Sequence, residues 1–96
     1  MQDATENLEH ADIRVQFGQA VRLRRRELGL SQDEIADRAK IHRVYLSQVE
    51  AGNRNIALVN IDHLTTALGL SIPEFFSQYV LASESYSSGS TWRAEG

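Results

Sequence analysis

No cysteine occurs in the 96 residues. Disulfides and thiolate metal sites are therefore excluded, and a reducing cytoplasm is the expected compartment. Long apolar runs are missing too: nothing approaches the roughly 20 residues that a membrane span requires. The opening MQDATENLEHAD is acidic and has no apolar centre, so it does not read as a signal peptide. Histidine is scarce, and His10, His42 and His63 have no spacing with carboxylates that would hold a metal. His42 reads as a partly buried turn residue and His63 as a surface residue. No nucleophile motif or phosphate-cradling glycine loop occurs. Neither an enzyme nor a cofactor or metal site is expected. Ninety-six residues at 42% hydrophobic content allow one modest core and no second effector domain.

The net charge of −3 is uneven along the chain. Residues 13–60 hold nine Arg/Lys against five Asp/Glu, a local balance of +4, whereas the remainder holds eight acids against Arg93 alone, a balance of −7. A polyanion responds to the field at its contact surface, since charges more than about 8–10 Å away are screened. The acidic ends therefore do not exclude a nucleic-acid partner.

Residues 1–9 are polar and aperiodic and read as a flexible acidic arm. From about His10 to Leu28, the spacing of Ile13, Phe17, Ala20, Val21 and Leu28 predicts an amphipathic helix with those residues buried. Gly18 inside it points to close packing by a neighbouring helix. Of the run Arg22, Leu23, Arg24, Arg25, Arg26, most guanidiniums are expected on a solvated face. Gly29 suits a helix end, and Ser31-Gln32-Asp33-Glu34 is a capping box that starts a second helix with Ile35, Ala36 and Ala39 inward. Gln32, in its first turn, is placed either to hold a phosphate or to stand as a solvated amide.

A three-residue turn, Lys40–His42, leads to the next helix, a spacing that fits a helix-turn-helix. The stretch Ile41–Asn55 then divides into two faces at about 100° per residue. Ile41, His42, Tyr45, Leu46 and Val49 share one side. Arg43, Val44, Ser47, Gln48 and Ala51 share the other, and these include the guanidinium, hydroxyl and amide groups that read base edges in a major groove. Glu50 lies where a helix C-terminus disfavours a carboxylate, so a cationic partner from the first helix is expected. Asn60 is expected to cap a fourth helix, Ile61–Leu68. Ser71-Ile72-Pro73-Glu74 is a second capping box, opening a fifth helix, Ile72 to about Leu81. Its Phe75, Phe76, Tyr79, Val80 and Leu81 exceed what a small core readily buries, so a self-association patch is expected, with ordinary core residues as the alternative. Residues 82–96 are Ser/Gly-rich and read as a flexible tail despite Trp92.

Arg25, Gly29-Leu30-Ser31-Gln32, Ile35-Ala36, Ser47-Gln48-Val49-Glu50-Ala51-Gly52 and Ala67-Leu68-Gly69-Leu70 occur in an order that resembles Xre-type helix-turn-helix proteins, the class that includes phage repressors. His42-Arg43, Tyr45, Ser47, Arg54-Asn55 and Asn60-Ile61 look in addition like controller proteins of restriction–modification systems. The resemblance implies an all-α, lambda-repressor-like five-helix bundle over residues 10–81. It implies base contacts from Arg43, Val44, Ser47 and Gln48, backbone contacts from Gln32, Tyr45, Arg54 and Asn55, and an Arg25–Glu50 structural ion pair. The family usually carries an aliphatic residue where this chain has Arg24.

The implied function is a homodimeric, sequence-specific transcriptional regulator on a pseudo-palindromic double-stranded DNA operator, with RNA polymerase as a further partner and Phe75, Phe76, Tyr79 and Val80 at the dimer interface. The alternative is an antitoxin-like module that masks a partner protein and autoregulates its operon.

Overall fold

Asp12 opens the first helix by turning its carboxylate onto the residues it precedes. It accepts from the Arg14 guanidinium and from the Arg14 backbone N–H at 2.8 Å. Those bonds, the guanidinium first, hold its carboxyl down at about 2. The computed structural model describes residues 12–80. The expected arm, His10, Leu81 and the Ser/Gly-rich tail with Trp92 lie outside the described residues. Within them run α1 (Ile13–Glu27), α2 (Gln32–Ala39), α3 (Arg43–Glu50), α4 (Leu58–Ala67) and α5 (Ile72–Phe75), which passes directly into a π-helical turn, Phe76–Val80. The fold is all-α, as expected.

Both serine capping boxes form: Glu34 N donates to Ser31 Oγ at 3.0 Å while Ser31 N donates to Glu34 Oε1 at 2.8 Å, and Ser71 and Glu74 repeat the pattern. The bonds from Ser31 draw the Glu34 carboxyl below its ordinary range. The other helix ends share one closure. The N–H of Leu30, Ile41, Asn53 and Leu70 each returns to the carbonyl five residues back, at 3.0–3.1 Å. This reversal needs a left-handed residue just before the donor. Three of the four are glycines, and the fourth is Lys40 at φ 62°.

These short turns fold α1 against α3 and the π turn, lay α2 across α3 and α4, and bring α4 onto α5. Phe17, Ala20, Val21, Ile35, Ala36, Ala39, Leu46, Val49, Leu64, Leu68, Phe75 and Val80 form the core. The tightest approach is at Gly18, where the carbonyl oxygens of Val49 and Glu50 occupy the place of a side chain. The close packing that a helical glycine suggested is therefore between α1 and the end of α3.

Four expectations are corrected. Ile13 (46% exposed) and Leu28 (40%) are not in the buried face of α1, because they fall at its two ends, where the helix is only partly covered. His42 is exposed at the N-terminal boundary of α3. The fourth helix begins at Leu58, with Ala57 at its boundary and no side-chain cap. Asn60 lies inside it and donates through Nδ2 to Tyr45 Oη at 3.3 Å. Finally, Phe75 and Val80, expected at a subunit interface, are buried within this chain at 0% and 1% exposure. On an α-helix, residues five apart point about 140° away from each other. The wider π turn brings Val80 round to the side of Phe75. There Phe75 meets the rings of Phe17, Phe76 and Tyr79 at 5.4, 5.7 and 5.7 Å. Such ring pairs add about 0.5–1.5 kcal/mol each beyond the area they bury.

Candidate nucleic-acid interface

The stretch built around α3 has its two faces in place. Leu46 and Val49 are buried, and Ile41 and Tyr45 pack at the edge of the core. Opposite them Val44 is 60% exposed, Arg43 is exposed, and Ser47 and Gln48 are half-buried. A branched apolar group, a guanidinium, a hydroxyl and an amide thus share one accessible helix face. That set suits a thymine methyl and the acceptors and donors of base edges.

Glu50 fixes how this helix sits. Its side chain is fully buried, at the end of α3 where the helix field opposes a negative charge. Arg25 of α1 answers it with a two-point contact, Nε to Oε2 at 2.7 Å and Nη2 to Oε1 at 2.9 Å. Gln32 of α2 donates to Oε1 at 3.0 Å, and Arg22 stands 3.5 Å away. Burial by itself would push the Glu50 carboxyl up. The bonds from Arg25 and Gln32 and the charges of Arg25 and Arg22 outweigh it, and the group titrates below the usual carboxylate range. The same bond pushes the Arg25 guanidinium up. Arg25 also donates through Nη1 to Leu30 O at 2.9 Å, tying the turn before α2 into the cluster. One carboxylate therefore locks three helices in register.

The remaining residues expected at the surface divide into two groups. Arg43 pairs through Nε with Asp33 Oδ1 of α2 at 3.2 Å, and both side chains are largely exposed. Exposed pairs of this kind contribute about 0–1 kcal/mol, so Arg43 is easily released to a stronger acceptor. In the loop 51–57, Arg54 lies over the Tyr45 ring at 4.7 Å and donates through Nη1 to Gln48 Oε1 at 3.3 Å, with Asn55 exposed beside it. Gln32 belongs to the Glu50 cluster rather than standing as a solvated amide; one amide hydrogen is taken and the other remains.

Sequence reasoning missed Asp33 as the partner of Arg43 and Asn60 as the partner of Tyr45. Both contacts join different helices, and no local spacing announces them. It also left Arg24 without a partner. Arg24 Nε donates to Leu68 O, the carbonyl closing α4, at 3.0 Å, and Nη1 donates to Tyr79 Oη at 3.3 Å. Tyr79 in turn donates to Glu27, which pushes its phenol up. The guanidinium at the usual aliphatic position thus clasps α4 and the π turn onto α1.

A helix-turn-helix family model matches residues 21–75, a segment that takes in α2, α3, α4 and the Glu50 cluster. Control protein C.MunI of Mycoplasma sp is 37% identical over 67 residues, covering 69% of this chain and 90% of that protein. Control protein C.BamHI of Bacillus amyloliquefaciens is 42% identical over 60 residues, covering 62% of this chain and 74% of that protein. The crystal structure of the restriction–modification controller protein C.AhdI from Aeromonas hydrophila superposes with a TM-score of 0.64 at 44% identity, over 66% of this chain and 96% of that one. This chain belongs to the Xre-type helix-turn-helix family, and it is a DNA-binding transcriptional regulator of the controller-protein type.

Proposed function

We propose that the protein acts as a homodimer on a pseudo-palindromic operator, inserting α3 of each copy into successive major grooves, and that it regulates its own operon in the manner of a restriction–modification controller. The observation that carries this reading is the open face of α3, with Arg43, Val44, Ser47 and Gln48 held outward by a helix whose other side is buried and whose end is clamped through Glu50. Arg43 and Gln48 supply hydrogen bonds to base edges, Val44 contacts a thymine methyl, and the remaining Gln32 hydrogen, Tyr45 and Asn55 fix register on the backbone.

Eight residues of helix span only about 12 Å and reach few base pairs, so useful specificity needs two copies with half-site centres about 34 Å apart. With Phe75 and Val80 inside the core and the Tyr79 hydroxyl bound to Glu27, the dimer contact is assigned instead to the exposed apolar start of α4. Leu58 is 73% and Val59 63% exposed. Ile61, one turn after Leu58, lines an apolar groove with Ile13, Ile56 and Phe76 that continues the same surface. Bound beside a promoter, such a dimer acts on RNA polymerase by position, recruiting it from upstream or excluding it by overlap. Footprinting on the DNA upstream of its own gene tests the reading. Protection of two half-sites one helical turn apart supports it, and no protection at any promoter-proximal site contradicts it.

A further inference from the structure

We infer that Arg54 is a positioning residue for base reading, which holds the Gln48 carbonyl toward itself and the Nε2 donors outward, so that Gln48 favours guanine over adenine; the inference rests on the proposed insertion of α3 into the major groove. Arg54 belongs to the loop after α3 and is exposed, the usual setting of a residue that meets phosphate. Its guanidinium is nevertheless committed to α3 at two points, the face of the Tyr45 ring and the Gln48 amide. Tyr45 is itself held from α4, accepting from Asn60 at 3.3 Å. Asn60, Tyr45, Arg54 and Gln48 therefore form one linked series that ends on the reading face.

Chemistry decides which end of the Gln48 amide faces Arg54. A guanidinium has only donors, so the atom it meets must be the carbonyl oxygen, and a flipped amide would set N–H against N–H. Glutamine reads adenine with both ends, the oxygen accepting from N6 and the nitrogen donating to N7. With the oxygen turned toward Arg54 and one of its lone pairs taken, Gln48 presents its two Nε2 hydrogens, and among the described residues these have no hydrogen-bond partner. Guanine presents two adjacent acceptors, N7 and O6, that match two hydrogens. The ring under the guanidinium keeps this orientation, because a cation above an aromatic face resists swinging away.

The test is selection of duplexes from a randomised library by the wild-type chain, followed by anisotropy titration of the selected duplex and its single base-pair variants with wild type, Arg54→Ala, Gln48→Ala and the double variant. Thermal melts confirm that each variant folds, as expected for substitutions of side chains outside the core. Wild type should prefer guanine to adenine at one position per half-site by on the order of tenfold or more. Arg54→Ala should bring that ratio close to one. In the Gln48→Ala background the Arg54 substitution should leave the ratio unchanged, the non-additivity expected of a coupled pair. The inference is overturned if Arg54→Ala weakens all duplexes by the same factor and lowers the salt slope by about one, as a phosphate contact would. A wild-type chain that enriches no sequence overturns the DNA reading itself, and the inference with it.

Discussion

A single buried carboxylate carries much of the registration of this domain. Because the folded-state pKa of Glu50 lies below its ordinary value of 4.5, its ionised form stabilises the fold above that value, and the contribution is lost as pH falls through it toward the folded pKa. Asp12 and Glu34 add losses of the same sign, Asp12 between about 3.8 and 2. Thermal melts should therefore be level near neutrality and fall progressively below about pH 4.5. Glu50→Gln leaves the Arg25 guanidinium without its counter-charge in the interior and should cost about 3–5 kcal/mol at neutral pH while flattening the acid limb. An acid limb of unchanged steepness would show that Glu50 is not its main source. Lys40 is a residue-scale cost of the opposite kind. It holds the left-handed position that glycine takes at the other three helix ends. Lys40→Gly should raise stability by about 0.5–1 kcal/mol in denaturant titration, the relief of the clash between Cβ and the backbone carbonyl exceeding the entropy that glycine loses on folding.

At the scale of elements, the decisive contact is backbone on backbone, where α1 crosses the end of α3 at Gly18. An added methyl group meets two carbonyl oxygens that cannot swing aside. Gly18→Ala should therefore destabilise by about 1–3 kcal/mol, although alanine is the better helix former, and should weaken DNA binding by tilting α3. Increased stability on that substitution would contradict the close approach. The elements also show what the sequence makes legible. Ser31-Glu34 and Ser71-Glu74 are four-residue signals satisfied within their own turn, and both were readable. So was the two-faced pattern of α3, because its periodicity is a property of one helix. The start of α4 was not, since Ala57 leaves no polar signature and Asn60, which carries one, is drawn to Tyr45 fifteen residues away. Nor was the burial of Val80, which depends on a π turn that changes the angular step, or the clasp of Arg24 on a carbonyl 44 residues distant. Local hydrogen bonding announces itself in sequence, while pairing between helices appears only once the chain has closed.

For the whole molecule, the distribution of charge and apolar surface matters more than its net values. Nine of the ten basic residues lie within residues 13–60, so an overall charge of −3 is compatible with a polyanionic partner. On the same scale, the exposed start of α4 is the proposed contact between two copies. Leu58→Asp should leave the fold intact, because Leu58 is 73% exposed, yet shift sedimentation from dimer to monomer and weaken operator binding at least tenfold. A variant that remains dimeric would move the interface elsewhere. The central claim, that the open face of α3 reads DNA, is tested most directly by anisotropy titration of the protein on the duplex upstream of its own gene, with wild type and Arg43→Ala compared on base-pair variants. The expected result is salt-sensitive binding in which Arg43→Ala costs about 1–3 kcal/mol and relaxes preference at one base pair of each half-site. Binding that ignores sequence, or an Arg43→Ala variant indistinguishable from wild type on every duplex, would contradict it.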